Sequence, residues 1–356
     1  MRKVVLVLIV LAAFYSAQAQ IGGNQGFAFL NLDPTARIAS MGGNTIAVND
    51  KDLSLAYLNP SLLRPEMHHN AMLGYGNYLA DINHGFFSYA RHYDSIGTFS
   101  ASAMYINYGH FDETDETGAI IGSFGANDYN FQLGYGNAFK KFTYGANVKF
   151  MYSQYERYIA TGAALDLAGA WHEPEKKITA TVLFKNMGYN LIPYRTVRVA
   201  VPFEIQAGIS KKLEHNPLRI SVIAHNLQKW DLSYVNTNRR NKEIDLETGE
   251  EKLPKSGFGD KLMRHLIIGG ELIFSDNFQL RFGYNHQRRK ELSPENRRLV
   301  TGFSWGVGLG VKKFYFSYGS SSYFPGIAAN YFSVSKNLND FNKKSNSQSR
   351  LITPSF

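Results

Sequence analysis

The chain repeatedly alternates apolar and polar residues, and the alternation changes phase across very short turns. In the stretch FSWGVGLGVKKFYFSYG (303–319), apolar residues occupy the odd positions up to Val311 and the even positions from Phe314 onward. Alternate side chains of a β-strand lie on one face. A two-residue turn at Lys312-Lys313 would therefore pair Val311 with Phe314 and keep one face of both strands apolar. The pattern predicts an antiparallel hairpin.

The same logic recurs along most of the sequence. It appears in FQLGYGNAFKKFTYGANVKF (131–150), where Lys140-Lys141 would pair Phe139 with Phe142, and in LIIGGELIFSDNFQLRFGYN (266–285). Reading the whole chain in this way predicts fourteen strands, which begin near residues 69, 82, 96, 126, 142, 158, 177, 202, 218, 264, 278, 300, 314 and 326.

The lengths of the connections indicate how these strands are arranged. All even-numbered connections are short, whereas the long ones, at 109–124, 187–201, 229–263 and 289–299, are all odd-numbered. Tight turns on one rim and long loops on the other are typical of outer-membrane barrels, whose strands need about 10 residues to cross a bilayer. A soluble secreted sandwich is the alternative, but it would not sort its connections and would leave open edges. The sequence thus predicts an all-β protein with a 14-stranded antiparallel transmembrane β-barrel over 67–336.

The first residues indicate export. Arg2 and Lys3 precede an apolar run (4–14), and Ala17-Gln18-Ala19 fits a cleavage site, so residues 1–19 are predicted to be a signal peptide. No later run has the roughly 18 apolar residues of a membrane helix. The chain has no cysteine, which excludes disulfides, and its net charge is +9. We expect an outer-membrane protein with no nucleic-acid partner and with a C-terminal tail over 337–356.

Residues 20–66 precede the barrel and carry helix signals instead of alternation. In LDPTARIASMGG (32–43), Asp33 is predicted to cap a short helix that begins at Pro34 and ends at Gly42-Gly43, and Asn59-Pro60 offers a second cap. A fourteen-stranded barrel is too wide for its own side chains to fill. We interpret this segment as a plug, or hatch, inside the lumen. A disordered periplasmic arm is the alternative.

Motifs for catalysis and cofactor binding are missing from the sequence. It contains no P-loop, GxSxG or HExxH pattern, and His68-His69 would point to opposite faces of a strand. DETDE (112–116) could hold calcium through its carboxylates, although it lacks the spacing of an EF-hand and reads more simply as a solvated acidic loop. We therefore predict neither an enzyme nor a bound cofactor or metal.

Charged residues concentrate on two of the predicted long loops. Ordinary solvation could account for them, but they could also form a docking surface for folded proteins or acidic glycans. The candidate docking residues are Asp112, Glu113, Asp115 and Glu116 on one loop and Arg288, Arg289, Arg297 and Arg298 on the other.

Several stretches resemble a known family. The segment DPTARIASMGGNTIAVNDKDLSLAYLNPSLL (33–63) is similar to the N-terminal hatch of FadL-like outer-membrane barrels. The stretches at 27–43, 211–234 and 281–292 resemble the PorQ-type barrels of the type IX secretion branch. That resemblance implies a membrane scaffold in the cell-surface attachment complex of Bacteroidota, with PorU-, PorV- and PorZ-like partners and lipopolysaccharide nearby.

Three functions remain open at this point. A secretion scaffold is the first. A FadL-type transporter of hydrophobic small molecules is the second, and it would need an apolar path from the loops to a lateral opening. A general porin is the third, and it would need an open, polar lumen.

Overall fold

Fourteen antiparallel strands close into a barrel in which neighbours along the chain pair and the last strand pairs with the first. The computed structural model describes residues 26–194, 198–233, 243–244, 251–252, 257–293, 300–324 and 326–340. The barrel strands are β1 (Asn70–Asn77), β2 (Asn83–Tyr93), β3 (Gly97–Thr114), β4 (Ile120–Phe139), β5 (Phe142–Tyr155), β6 (Tyr158–Glu173), β7 (Ile178–Ile192), β8 (Glu204–Lys212), β9 (Leu218–Ala224), β12 (Leu266–Ser275), β13 (Phe278–Asn285), β14 (Phe303–Val311), β15 (Phe314–Phe324) and β16 (Ile327–Asn337). A separate two-stranded ladder joins β10 (Glu243–Ile244) to β11 (Glu251–Lys252) within the β9–β12 connection.

The predicted hairpins have the predicted register. Val311 lies opposite Phe314 and Phe139 lies opposite Phe142. Lys140 and Lys312, the first residues of the two Lys-Lys turns, each have a φ of 56°, so lysine takes the left-handed conformation that such turns require. Every predicted strand start except that of β4 agrees with the structure to within three residues.

The two faces of the wall invert the arrangement of a water-soluble protein. Large apolar side chains such as Leu309, Phe316 and Trp305 are about half exposed on the outside. Inside, Arg281 and Glu271 are completely buried. An apolar outer surface around a polar interior is the arrangement that a lipid bilayer demands of a barrel. In the described part of the chain, no helix is long and apolar enough to cross a membrane.

Short helical turns precede the first strand. They are α1 (Ala36–Ser40), α2 (Leu53–Leu58) and three 3-10 turns at Ala28–Asn31, Pro60–Leu62 and Pro65–Met67. Two further helices, α3 (Phe258–Arg264) and α4 (His286–Leu292), lie in the long connections after β9 and β13.

The connections separate into two rims, although one predicted loop is wrong. The inner rim has only short turns, at 94–96, 140–141, 174–177, 213–217, 276–277 and 312–313, and the outer rim carries the long connections 193–203, 225–265 and 286–302. Short turns face the periplasm in barrels of this kind. The predicted loop 109–124 is mostly strand, because β3 and β4 continue to Thr114 and Ile120 and leave a turn of residues 115–119.

Candidate functional site

The N-terminal segment from residue 26 to residue 67 crosses the inside of the barrel. Helix α1 packs against β13, β14, β15 and β16, whereas the Pro60–Leu62 turn packs against β4, β5 and β6 on the opposite wall. Most residues of the segment are buried. We call residues 26–67 the plug, since they fill the lumen from wall to wall.

Local signals shape the plug at two places. The side chain of Asn59 accepts a hydrogen bond from the amide of Ser61 at 3.0 Å and donates to the carbonyl of Ile46 at 2.7 Å. Gly42 and Gly43 both have positive φ angles and end α1. Asp33 and Pro34 do not play their predicted parts, because α1 begins only at Ala36 with Thr35 at its N-cap, and Thr35 makes no side-chain cap.

Lumen-facing glycines let the plug approach the wall closely. A Cβ atom on Gly136 would lie 2.6 Å from the carbonyl oxygen of Pro60, and one on Gly74 would lie 2.8 Å from that of Pro34. A Cβ on Gly283 would overlap the backbone between Met41 and Gly42. Any larger residue at these three positions would push the plug away from the strands.

A network of buried charges fixes the plug to the inner half of the wall. The guanidinium of plug residue Arg37 lies 2.6 Å from Asp50, 3.0 Å from Asp52 and 2.9 Å from the β12 carboxylate of Glu271. Glu271 also binds Arg219 of β9 at 2.8 Å and Arg281 of β13 at 3.2 Å. We call these residues the charge network: Arg37, Asp50, Asp52, Arg219, Glu271 and Arg281.

Opposite charges balance within the charge network. Its three arginines match its three carboxylates, and Arg219 also binds Asp50 at 2.9 Å. Burial alone would raise the pKa of Asp50, but Arg37 and Arg219 hold that pKa below its usual value. The sequence offered no sign of this network, because its members come from the plug and three separate strands.

A second ion pair ties the plug to the outer connection after β13. Arg288 of α4 lies 3.3 Å from Asp33 and packs over the ring of Tyr323 at 4.4 Å, with only 12% of its side chain exposed. Arg288 therefore faces the lumen instead of forming part of a docking surface. Arg289 packs over Phe303 at 5.7 Å. The predicted docking residues Arg297 and Arg298 lie outside the described residues.

A cluster of apolar side chains lies in the outer half of the lumen, next to the buried ion pairs of Lys149 with Asp166 at 2.7 Å and of Lys185 with Glu204 at 3.9 Å. Phe27 and Phe29 of the plug meet edge to face at 6.2 Å between ring centroids. A Cβ on Gly162 of β6 would lie 2.7 Å from the ring of Phe27, so this ring packs directly on the wall. We call this cluster the apolar layer, and its members are Phe27, Phe29, Leu30, Met104, Ile106, Met151, Ala164, Leu183 and Val201.

The wall is interrupted beside the apolar layer. The ladder between β7 and β8 stops at Lys185 and Glu204, although β7 continues to Ile192. A bulge at Asn186, whose φ is 59°, marks this point, and the amide of Asn186 donates to the carboxylate of Asp166 at 2.7 Å.

The plug itself helps to fill this interruption. The amide of Gly26 donates to the carbonyl of Ala200 at 3.0 Å, and the side chain of Asn186 donates to the carbonyl of Pro202 at 3.0 Å. The segment 198–203 and the start of the plug thus occupy the place where a longer β8 would have continued the wall.

The predicted acidic site is exposed at the tip of the β3–β4 hairpin. Asp112 and Glu113 belong to β3, whereas Asp115 and Glu116 lie in the turn. The carboxylate of Asp115 accepts hydrogen bonds from the amides of Thr117 and Ala119, at 2.8 Å and 3.0 Å. Over the described ranges, no group of three or more histidine or carboxylate side chains is placed to hold a metal ion.

Comparison with known proteins identifies the fold. No protein-family model matches the chain, and neither does any curated protein sequence. The toluene transporter TodX of P. putida superposes with a TM-score of 0.50 and 12% identity, over 86% of this chain and 99% of TodX.

Two further structures give similar figures. A TodX variant described as a monoaromatic hydrocarbon channel gives a TM-score of 0.51 and 13% identity, over 85% of this chain and 98% of its own. A Pseudomonas aeruginosa FadL homologue gives 0.45 and 10% identity, over 85% and 98%. Together with its closed fourteen-stranded architecture, the likeness to TodX shows that this chain has the fold of the FadL-like outer-membrane barrels.

Proposed function

We propose that this protein carries small hydrophobic molecules into the outer membrane through the apolar layer and the interruption between β7 and β8. The observation that carries the proposal is their adjacency: Phe27 belongs to the apolar layer, and its neighbour Gly26 bonds to the segment that fills the interruption. A molecule that displaced Phe27 would enter an apolar site with a side exit.

The energetics favour an apolar cargo over a polar one. A small hydrocarbon in place of Phe27 would restore most of the apolar contact that the ring makes, at about 25 cal/mol per Å² of buried surface. A polar solute would lose hydrogen bonds to water against the apolar side chains of this layer. As far as the described residues show, the plug and the charge network occupy the inner half and leave no polar route through it. TodX, a toluene transporter, shares this fold, which is compatible with an apolar cargo.

A reversible lock on the plug tests the proposal. A Cβ on Gly26 would lie 3.4 Å from the Cβ of Val199, close to the spacing of about 3.8 Å in a disulfide. Because the chain has no cysteine, the pair Gly26→Cys and Val199→Cys would be the only thiols present. We expect oxidation to abolish the uptake of radiolabelled toluene and dithiothreitol to restore it.

The matched control for the lock is the single variant Gly26→Cys under the same oxidant. It should take up toluene as the unmodified protein does, which would separate the crosslink from the substitution. Equal uptake by the oxidised and reduced forms of the double variant would show that this end of the plug does not gate a path, and the transport proposal would then be wrong.

A second candidate function is that of a surface scaffold for the type IX secretion attachment complex, as the resemblance to PorQ-type barrels implies. The observation in its favour is that α3 and α4 pack together on the outer rim. Asp260 of α3 binds Arg264 at 2.8 Å, Lys290 of α4 at 2.8 Å and His286 at 3.3 Å. A rim ordered in this way suits the binding of folded PorU-, PorV- or PorZ-like partners.

A deletion strain separates the two candidates. Loss of a scaffold should release secreted cargo into the medium or leave it unprocessed, while the uptake of toluene stays normal. Loss of a transporter should lower uptake and leave cargo attachment intact. The strain complemented with the oxidised Gly26→Cys and Val199→Cys variant is the matched control, because the lock leaves the outer rim in place.

A further inference from the structure

The β3–β4 hairpin extends beyond its two neighbouring strands, β2 and β5, as a two-stranded ribbon. Pairing between the two strands continues from Asn107 and Asn127 to Thr114 and Ile120. We call residues 108–125 the ribbon. On either side the neighbouring connections are short, at 78–82 and 156–157, so neither rises to cover the ribbon.

The exposed tyrosines of the wall show where the membrane ends. On the lipid face, the ring of Tyr129 lies between those of Tyr105 at 4.9 Å and Tyr152 at 5.9 Å. From Phe139 on the inner rim to Tyr129, a strand tilted by about 40° spans about 25 Å, the height of the apolar band of such barrels. Tyr129 thus lies at the outer interface, and the ribbon projects roughly 20 Å into the medium.

Both edges of the ribbon lack a neighbouring strand. On the β3 side, β2 pairs only as far as Asn107, and on the β4 side, β5 pairs only from Ala126. Among the described residues, therefore, no strand pairs with the edge of β3 that faces away from β4 between His110 and Thr114. An exposed strand edge presents unpaired backbone groups that can bind another extended chain.

The composition of the ribbon indicates what kind of chain would bind. Residues 108–125 contain four carboxylates and no lysine or arginine. Ile120 and Ile121 are 67% and 64% exposed although they stand clear of the lipid. A second copy of this ribbon would be repelled by its like charge, whereas a basic segment would be attracted.

We propose that the edge of β3 from His110 to Thr114 binds an extended, basic segment of a partner protein by adding a strand to the ribbon. Asp112 and Glu113 project from opposite faces of that edge, so the added strand would place lysine or arginine on both faces. An apolar side chain of the added strand would pack beside Phe111, which is 45% exposed on β3. The proposal is independent of transport through the lumen.

A synthetic peptide of ten alternating lysine and valine residues is the probe, measured by fluorescence anisotropy against the full chain in nanodiscs. The variant Asp112→Lys with Glu113→Lys should weaken binding about tenfold by placing like charges across the added pair. The matched control, Asp115→Lys with Glu116→Lys, changes the net charge equally but lies in the turn, and it should weaken binding far less.

Two further measurements separate strand addition from simple charge attraction. A probe N-methylated at alternate residues keeps its charge but loses backbone donors, and it should bind at least tenfold more weakly if strands pair. Equal loss in the two double variants, or undiminished binding of the methylated probe, would overturn the proposal. Between His110 and Thr114, slow exchange of the amides that point away from β4, in nanodiscs without peptide, would also overturn it, because this edge would then already be covered.

Discussion

The two ends of the plug are held in the lumen by different forces. From Asp33 onward, the plug is fixed by the charge network, by the pair of Asp33 and Arg288, and by lumen glycines that admit its backbone to close contact. From Gly26 to Leu32, the contacts are apolar side chains and a backbone hydrogen bond between Gly26 and Ala200.

This difference indicates which end can move. Removing a charge from a balanced buried network leaves its partners uncompensated, so the inner end resists displacement as a unit. Apolar contacts are non-directional, and a ligand of similar size can replace them. We therefore expect the inner end to seal the barrel and the outer end to be the part with which a hydrophobic molecule exchanges.

Deletions of different length should give the largest contrast. Removing residues 20–66 should turn an electrically silent protein into one that conducts in planar bilayers, because nothing would then fill the inner half. Removing only residues 20–32 should leave conductance near zero, because the charge network would remain. If the short deletion conducts as well as the long one, the inner end does not seal the barrel.

The substitution Glu271→Ala should test the charge network directly. It would leave Arg37, Arg219 and Arg281 without their shared partner, which costs about 3–5 kcal/mol for a broken buried pair. Denaturant unfolding in detergent would measure the loss.

The ion pair of Lys141 and Glu173, at 2.7 Å on the inner rim, supplies the control, because the side chain of its lysine is 52% exposed. The substitution Glu173→Ala should cost at most about 1 kcal/mol, because water screens such a pair. Similar losses in both variants would mean that the network contributes no more than a surface contact.

The substitution Gly283→Val should displace the plug by a smaller amount. Its side chain would overlap the backbone at Met41 and Gly42, and such overpacking costs about 1–3 kcal/mol. Brief conducting events in single-channel recordings would report the loosened plug. The control is Gly270→Val on the neighbouring strand, because a Cβ there meets no atom within 4 Å. Matching behaviour of the two variants would contradict a close fit at Gly283.

Acidification should produce the smallest effect. Since the folded state lowers the pKa of Asp50, the stability that this carboxylate contributes is complete above its unfolded pKa of about 3.9 and is lost as the pH falls below it. We expect conducting events to become more frequent from about pH 4 downward. The variant Asp50→Asn should lose the part of this pH dependence that the carboxylate causes, and an unchanged profile would assign the effect to other groups.

The alternation of apolar residues was sufficient to predict the strands and their registers. Period two is a local property, so Val311 and Phe314 could be paired from their distance along the chain alone. The β3–β4 extension was missed because residues 109–124 contain glycine and carboxylates, which are rare in strands, and because Gly109 interrupts the alternation with a φ of 85°.

The sequence by itself determined the strands, the turns and the helical segment ahead of the first strand, because each follows from patterns within a few residues. It also determined the closed barrel with unequal rims, because short and long connections alternate along the chain. Only the tertiary structure decided that Asp33 would bind Arg288, that Glu271 would meet three arginines, and that β8 would begin at Glu204 and leave Ala200 to bond with Gly26 of the plug. Those contacts join residues far apart in the chain. Which side chains face each other across the lumen is determined only when the barrel closes around the plug.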